Sequence, residues 1–316
     1  MMKKLLLPLI LINSINVLAQ EEPSFLETLI SDTNDHRKDI HNYIVGLSSS
    51  VDNYMYDEED IKINKKDYSA AYGLIELSVF QNQHENIHFD QKVKIKLKLP
   101  KLKDEFRLVF ESDDLDENKD YIERKNSNKN EDFNLGLSYQ TFKKHIELKA
   151  KVGIKLRSKI DPFLKLSARK TWEDIYGLDV LIGQDVRQSV VKKLETTTYY
   201  EVFKKFNDYY SIHQYTEYYW HSSEGRDSQV LPSIHLKQIL DQKNHLTYSL
   251  SSNIDNTETN FRIKRHSAQI KYRHFIKKWL YIDTIPENYY SYDDNFKPRY
   301  AMRFNLGIYF NKSSYK

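Results

Sequence analysis

Ile87-His88-Phe89-Asp90-Gln91-Lys92-Val93-Lys94-Ile95-Lys96-Leu97-Lys98-Leu99 is the stretch that decides the fold. Apolar side chains alternate in it with His, Asp and four Lys, which is the two-residue period of a β-strand with two unlike faces. A strand that crosses a membrane needs about 9 to 11 residues, and this stretch is long enough. Because a lysine facing lipid near the midplane costs about 2 to 4 kcal/mol, the lysine face is predicted to face a water-filled interior.

The same alternation recurs from Phe133 to Tyr139, from Ile146 to Leu156 and from Tyr300 to Phe310, with weaker cases between. It predicts a single sheet of about 14 strands, within a range of about 12 to 16. The predicted strands start near residues 68, 86, 105, 132, 145, 163, 175, 194, 210, 229, 245, 266, 279 and 299.

The links between these strands are predicted to alternate in length. The short ones are Pro100 to Asp104, Thr141 to Lys144, Glu173 to Asp174, Phe206 to Asp208, Asp241 to Asn244 and Lys277 to Lys278. The opposite, mostly longer ones include Ser112 to Glu131, Ser222 to Ser228, Ser251 to Arg265 and Tyr289 to Pro298. Short periplasmic turns and long outer loops are typical of an outer-membrane barrel, whereas a soluble β-sandwich, the alternative fold, does not require this alternation. The sequence therefore predicts an all-β fold, an antiparallel up-and-down transmembrane β-barrel at residues 67–310.

The start of the chain predicts export. Lys3 and Lys4 precede an apolar run from Leu5 to Ile12, and Val17-Leu18-Ala19 precedes Gln20, so residues 1–19 are predicted to be a cleaved signal peptide. An uncleaved anchor is the alternative, but the run is short for a membrane helix. Residues 20–66 are expected to form a periplasmic helical segment and residues 311–316 a C-terminal tail.

The helical segment shows a helical spacing of apolar residues from Ser24 to about Val45, with the polar stretch Ser31 to Lys38 inside it. The pattern predicts one or two short amphipathic helices. Two interpretations remain open at this point: a leader packed under or into the mouth of the barrel, or a helix that docks a partner.

Composition narrows the function. The chain has no Cys, which excludes disulfides, thiolate metal sites and Cys nucleophiles. Mean hydropathy is −0.71 and 29% of residues are charged, values that suit a barrel whose alternate residues face water. The net charge is only +3 and no basic run is interleaved with aromatics, so nucleic acid is not an expected partner.

Three short segments resemble a group of proteobacterial barrels without an assigned activity. They are Val51-Asp52-Asn53-Tyr54-Met55, Leu99-Pro100-Lys101-Leu102 with the following Arg107 to Asp114, and Trp279-Leu280-Tyr281. The resemblance implies the fold and a place in the Gram-negative outer membrane, with outer-membrane lipid and lipopolysaccharide as surroundings, but no chemistry.

The end of the chain resembles the aromatic last-strand signal of the barrel-assembly machinery, an expected partner during biogenesis. Asn305, Gly307 and Phe310 stand in suitable order, but six residues follow Phe310 where that signal usually ends the chain.

The phase of the alternation gives the candidate functional residues. The basic residues predicted to line the lumen are Lys92, Lys94, Lys96, Lys98, Lys149, Lys151, Lys155, Arg157, Lys271 and Arg273. Carboxylates predicted on the same face are Asp90, Glu111, Glu147, Asp179, Asp185, Asp283 and Glu287. Two interpretations are possible: a mutually neutralised, hydrated wall, or a basic stripe that concentrates anions.

Two further patterns are weak. Asp114 to Asp120 has the alternating oxygen ligands that open a calcium loop, but Lys119 and Lys125 stand where such a loop needs Gly and Glu. Hydrolase candidates are His213, His221, Ser222, Ser223, His266 and Ser267, but the sequence has no nucleophile elbow, zinc helix or phosphate loop. Adjacent His and Ser on a strand point to opposite faces, so they cannot pair by adjacency.

These observations predict a porin-like channel for passive diffusion of small hydrophilic solutes, with a preference for anions. The alternative is a non-conducting structural or assembly barrel that holds a periplasmic partner through its N-terminal helix. An outer-membrane hydrolase is the third hypothesis. The first two require neither catalysis nor a cofactor, and none is expected.

Overall fold

The computed structural model describes residues 23–55, 71–83, 86–101, 105–112, 133–143, 145–156, 160–191, 193–222, 228–257 and 260–310. The predicted signal peptide, the tail and the Asp114 to Asp120 loop lie outside these residues, so they stay predictions. No helix within the described ranges is long and apolar enough to cross a membrane.

The described chain forms one helix, fourteen strands and a short 3-10 helix at Tyr292–Asp294. The helix is α1 (Pro23–Met55). The strands are β1 (Tyr72–Asn82), β2 (His88–Lys98), β3 (Phe106–Ser112), β4 (Phe133–Lys143), β5 (Ile146–Leu156), β6 (Ile160–Ile175), β7 (Leu178–Ser189), β8 (Lys193–Lys205), β9 (Tyr210–His221), β10 (Ser228–Ile239), β11 (Asn244–Thr257), β12 (Asn260–Lys277), β13 (Leu280–Ser291) and β14 (Pro298–Tyr309).

The strands close into a barrel. Each strand pairs antiparallel with the next in sequence, and β1 pairs with β14, with Leu74 opposite Tyr309. Full closure removes the sheet edges, so every strand has two hydrogen-bonded neighbours. The prediction of a barrel of about 14 antiparallel strands is confirmed.

Side-chain exposure follows the two-residue period, as β5 illustrates. Its apolar Leu148, Val152 and Leu156 are 42%, 56% and 40% exposed, whereas Lys151 and Lys155 are 3% and 5% exposed. The exposed apolar set faces outward and the enclosed charged set faces inward, as the cost of a charge in lipid requires. The phase deduced from alternation is therefore the phase of the folded wall in this strand.

One predicted long loop is wrong. Residues expected to form the link Ser251 to Arg265 belong to β11 and β12, which pair out to Thr257 opposite Asn260. A salt bridge of 3.1 Å between Lys264 Nζ and Asp255 Oδ2 joins the two strands there. Polar, charged residues favour a loop when only the sequence is considered, but a hairpin that continues beyond the lipid can carry charges on both faces.

Two other boundaries shift. The turn expected at Glu173 to Asp174 lies at Tyr176 and Gly177, both with positive φ, as a two-residue hairpin turn requires. The link expected from Tyr289 is shorter, because β13 runs to Ser291 and the 3-10 helix follows directly.

The N-terminal segment is one helix of 33 residues, not one or two short ones. The interruption expected between Ser31 and Lys38 is absent from the described chain, because that stretch contains no Pro or Gly to end a helix. Pro23 stands at the first position, where the missing N–H costs nothing.

The helix α1 packs against the outside of the barrel wall, at the end that carries the short turns. Its Ile44 and Val45 form a buried cluster with Ala71, Leu97 and Phe310, which belong to the outward phase of the wall. The expectation of a leader under or inside the mouth is therefore wrong for this part of the helix. Ile44 and its neighbours bury more apolar area against the apolar outer face than a charged lumen would offer.

Candidate functional site

The inner face of the wall is the candidate site, and its first centre is Glu111 on β3. The Lys151 Nζ donates to Glu111 Oε1 at 2.7 Å, and Lys94 Nζ lies 3.9 Å from Glu111 Oε2. All three side chains are at most 6% exposed. One carboxylate thus serves two ammonium groups, which leaves this part of the wall with a positive balance.

A second centre lies where the last strands meet the first. Arg273 on β12 donates two hydrogen bonds to Asp283 on β13, one of 2.6 Å from Nε and one of 2.8 Å from Nη2. The Tyr281 hydroxyl donates to Glu76 on β1 at 2.5 Å, which ties the wall together across the seam. The Arg273 guanidinium also lies 3.8 Å from the centre of the Tyr281 ring, so charge and aromatic surface are stacked.

A third centre joins β6, β7 and β8. Lys165 Nζ lies 3.0 Å from Asp185 Oδ2, and Arg187 Nε lies 3.6 Å from Glu195 Oε2. The Arg187 guanidinium lies 4.2 Å from the centre of the Phe163 ring. The wall there alternates ion pairs with an aromatic surface.

Imidazoles and hydroxyls gather on β8 to β11. His213 Nε2 lies 3.1 Å from Glu201 Oε2. His235 bonds Ser249 through Nδ1 at 2.8 Å and Ser233 through Nε2 at 2.9 Å. The two imidazole rings are 5.9 Å apart. The acid contacts one imidazole and the hydroxyls contact the other, so the contacts do not form one chain from acid through base to nucleophile.

The other basic residues predicted to line the lumen differ in burial, and one of them is not described. Lys92, Lys96, Lys98, Lys149 and Lys271 are half-buried on strand positions of the inward phase, and Lys155 is 5% exposed. Arg157 lies outside the described residues.

The predicted carboxylates also occupy identifiable places. Asp90 lies 3.9 Å from Arg303, and Glu287 lies 3.4 Å from Arg265. Glu147 accepts a hydrogen bond from Gln140 Nε2 at 2.9 Å. Asp179 accepts one from the backbone N–H of Asp174 at 3.0 Å, so it closes the hairpin turn.

Several members of the inner face were not among the residues predicted from the sequence. They are Glu76, Asp161, Phe163, Lys165, Arg169, Arg187, Glu195, Glu201, Glu217, His235, Arg265 and Arg303. Lys165 and Arg169 alternate with Leu164, Leu166 and Ala168, so strand phase alone could have found them. The Arg187 to Glu195 pairing depends on the register of β7 and β8, which alternation does not give.

Hydrolase candidates that are adjacent in sequence lie on opposite faces of the wall. His266 bonds Ser252 at 2.7 Å, while the adjacent Ser267 bonds Ser251 at 2.7 Å on the opposite face. Ser222 accepts from the backbone N–H of Leu194 at 3.0 Å, and Ser223 lies outside the described residues. Within the described ranges, no group of three or more His, Asp and Glu could hold a metal ion.

The inner face is electrostatically uneven. Its basic arc, defined as the inward positions of β2 to β6, carries more Lys and Arg than carboxylates. Its acidic arc consists of Glu195, Glu201 and Glu217 on β8 and β9. Ionised groups at this density require oppositely charged partners or water around them, because an apolar enclosure would penalise each charge.

A closed antiparallel wall, apolar outside and ionised inside, meets the requirements for spanning a bilayer with strands. The protein is a closed antiparallel β-barrel of the transmembrane kind. No protein-family model matches the sequence of this barrel, and no curated protein does.

Solved structures to which the chain is similar include an L8-deletion form of OmpT from Vibrio cholerae, at 11% identity and a TM-score of 0.46, covering 76% of this chain and 98% of that one. The outer-membrane channel DcaP of Acinetobacter baumannii is similar at 7% identity and a TM-score of 0.46, covering 76% and 96%. The KdgM porin is similar at 9% identity and a TM-score of 0.37, covering 74% and 98%. At these values the similarity assigns no solute and no catalysis to this barrel.

Proposed function

We propose that this barrel is a porin-like channel for the passive diffusion of small hydrophilic solutes. The observation that carries the proposal is the ionised inner face, on which ion pairs and hydroxyls follow one another around the wall. A barrel of 8 strands is filled by its side chains, whereas 16 to 18 strands leave an aqueous channel, so 14 strands suit a narrow pore. A narrow pore passes small solutes and excludes large ones.

The proposal includes a preference for anions. The basic arc has a positive balance, and Glu111 is shared between Lys94 and Lys151. Like charges that line a confined channel repel co-ions and concentrate counter-ions. The acidic arc on β8 and β9 reduces this bias, so the preference is expected to be modest.

The non-conducting barrel remains the second candidate, and one observation favours it. Many inward charged side chains are almost fully enclosed, among them Lys94 at 4%, Asp185 at 3% and Asp283 at 1% exposure. Such a wall has the mutual neutralisation of a sealed structural barrel.

Single-channel recording of the refolded protein in a planar bilayer separates the two candidates. A channel gives stable conductance and, in a salt gradient, a reversal potential of anionic sign that shrinks as salt rises and screening shortens. A sealed bilayer contradicts the channel, and a cationic sign contradicts the anion preference.

The charge variants leave Lys94 and Lys151 unchanged, because these two residues contact Glu111. Changing Lys96 and Lys149 to Glu should move the reversal potential toward cations, because both side chains are on the inner face and half-buried. Changing Lys143 and Lys278 to Glu is the matched control, since both are exposed beside the turns. Equal shifts in the two variants would contradict a lumen that sets selectivity.

A further inference from the structure

The outer face of α1 carries apolar side chains that the described residues of the chain leave exposed. Ile40, Tyr43, Leu47 and Tyr54 are 40%, 71%, 38% and 91% exposed. At 3.6 residues per turn they fall in one stripe along the helix, which we name the outer stripe. The stripe is separate from the face that packs on the wall, where His41, Ile44, Val45, Ser48 and Asp52 are at most 9% exposed.

The remaining face of the helix is polar. Lys38, Asn42 and Asn53 are exposed there, on the opposite side from the outer stripe. The helix therefore has three faces: one against the barrel, one polar, and the outer stripe, which is mainly apolar and also includes the exposed His36 and Ser50. Large apolar side chains on a free helix face indicate an apolar surrounding for that face.

The place of the helix identifies what the outer stripe meets. The wall residues under α1, including Leu97, Ile95 and Ile308, belong to the lipid-facing phase of the barrel. The outer stripe is thus continuous with the surface that the bilayer covers. It lies at the end of the barrel that carries the short turns, which is the periplasmic end in barrels of this kind.

The side of α1 next to the polar face contacts the rim of the barrel, and the side next to the outer stripe contacts the lipid-facing wall. Asp52, on the side of the polar face, accepts a hydrogen bond from the backbone N–H of Lys101 in the turn between β2 and β3. Val51, on the side of the outer stripe, packs against the apolar cluster of the wall. The polar face is therefore turned toward the rim and the outer stripe toward the membrane.

We propose that α1 is an interfacial helix whose outer stripe is inserted among the phospholipids of the periplasmic leaflet. Tyr43 and Tyr54 suit the level of the headgroups, because each combines an apolar ring with a polar hydroxyl. Ile40 and Leu47 reach the acyl chains beneath. The helix thereby adds apolar surface that contacts lipid beside β1, β2 and β14. This inference rests on the outer-membrane fold and is independent of conductance.

The absence of Cys from the chain makes a direct test simple. A nitroxide is attached to a single Cys, in Leu47→Cys or Tyr43→Cys on the outer stripe, and in Asn53→Cys or Asn42→Cys on the polar face as matched controls. Each chain, without the predicted signal peptide, is refolded into vesicles of phosphatidylethanolamine and phosphatidylglycerol. Spectra are recorded with oxygen, which concentrates in lipid, and with a water-soluble nickel chelate. All four side chains are exposed, so folding is preserved, and resistance to unfolding in gel electrophoresis verifies it.

The expected result is a several-fold higher ratio of oxygen to nickel collisions at Leu47 and Tyr43 than at Asn53 and Asn42. Equal ratios on the two faces would overturn the proposal, because they place both faces in water. Protection of Leu47 from both reagents would also overturn it, because it indicates a protein occupant such as a second copy of the chain.

Discussion

The carboxylate of Asp52, near the end of α1, accepts a hydrogen bond of 2.8 Å from the backbone N–H of Lys101, in the turn between β2 and β3. Ser48, one turn earlier on the same face, donates to the backbone carbonyl of Lys98. Both side chains are fully buried. Two of the sequence segments that resemble other barrels, around Asp52 and around Lys101, are thus brought together at one point of the rim, where they fix the helix to the wall.

Replacing Asp52 by Ala should reduce the free energy of unfolding by about 1–3 kcal/mol, because the partly buried N–H of Lys101 loses its acceptor. Asp52→Asn keeps an oxygen at that position and should lose less. The measurement is urea-induced unfolding of the refolded barrel. Asn53→Ala, at the neighbouring exposed position, is the control and should change the value by less than about 0.5 kcal/mol. Equal effects of Asp52→Ala and Asn53→Ala would show that the bond does not fix the helix.

Replacing Glu111 by Gln should destabilise the barrel by about 3–5 kcal/mol, because Lys94 and Lys151 lose the carboxylate that they share in an enclosed site. The same unfolding measurement gives the loss. Asp208→Asn breaks the exposed pair of Lys205 and Asp208, of 2.6 Å, and should have little effect. A small loss for Glu111→Gln would mean that both ammonium groups reach water in the lumen.

Replacing Gly307 by Ala should cost about 1–3 kcal/mol, because a Cβ there would overlap the ring of Tyr281 on the neighbouring strand. Tyr281 cannot easily move aside, since it is 1% exposed and bonded to Glu76. Gly46→Ala in α1 is the matched substitution: its Cβ meets nothing within 4 Å, and it should stabilise the helix by about 0.5–1 kcal/mol. Thermal unfolding should therefore shift in opposite directions for the two variants.

The turn between β10 and β11 should contribute a pH-dependent stability. Hydrogen bonds from the Asn244 side chain and from the backbone N–H of Lys243 lower the pKa of Asp241 below its ordinary value of 3.8. A carboxyl whose pKa is lowered by folding stabilises the fold above its unfolded pKa, and this contribution disappears as the pH falls through the folded pKa. The stability difference between the wild type and Asp241→Ala should therefore be full at neutral pH and should shrink below pH 3.8. A difference that stays constant down to low pH would contradict this origin. Gln242→Ala, which removes a neighbouring exposed side chain, should show no such pH dependence.

The orientation of the barrel can be tested in intact cells. Asn118 lies in the predicted outer loop, and Gln242 lies in a turn at the opposite end of the wall. A single Cys at Asn118 should react with a membrane-impermeant reagent, whereas one at Gln242 should react only after the outer membrane is opened. Equal labelling of the two positions would contradict the assignment of the short turns to the periplasm.

The barrel could be predicted from sequence because its determinants are local. Lys151 and Val152 are adjacent in a strand, so their side chains point to opposite faces, the first to the interior and the second to lipid. The alternation of charged and apolar residues in the sequence reflects these two surroundings. Strand limits were harder where charges continue on both faces, as around Asp255 and Lys264, because polarity no longer separates strand from loop there.

The partners within the site could not be predicted, because they depend on register and closure. Glu111 meets Lys94 through the pairing of β2 with β3, and it reaches Lys151 across β4. Alternation assigned all three to one face, but it does not say which carboxylate meets which ammonium. The position of α1 has the same origin, since Ile44 contacts residues from both ends of the chain.

The contact of Ile44 with residues beside the first and the last strand depends on closure of the barrel. The pairing of β1 with β14 is the one neighbour contact of the described barrel that no single connection along the chain provides. Ile44 and Val45 pack on this seam with Ala71 and Phe310, so part of the surface that they contact is present only when the final strand is in place. The contacts of the helix that leads the barrel in sequence are therefore complete only after the barrel has closed, and the docked helix covers the joint between the first and the last strand.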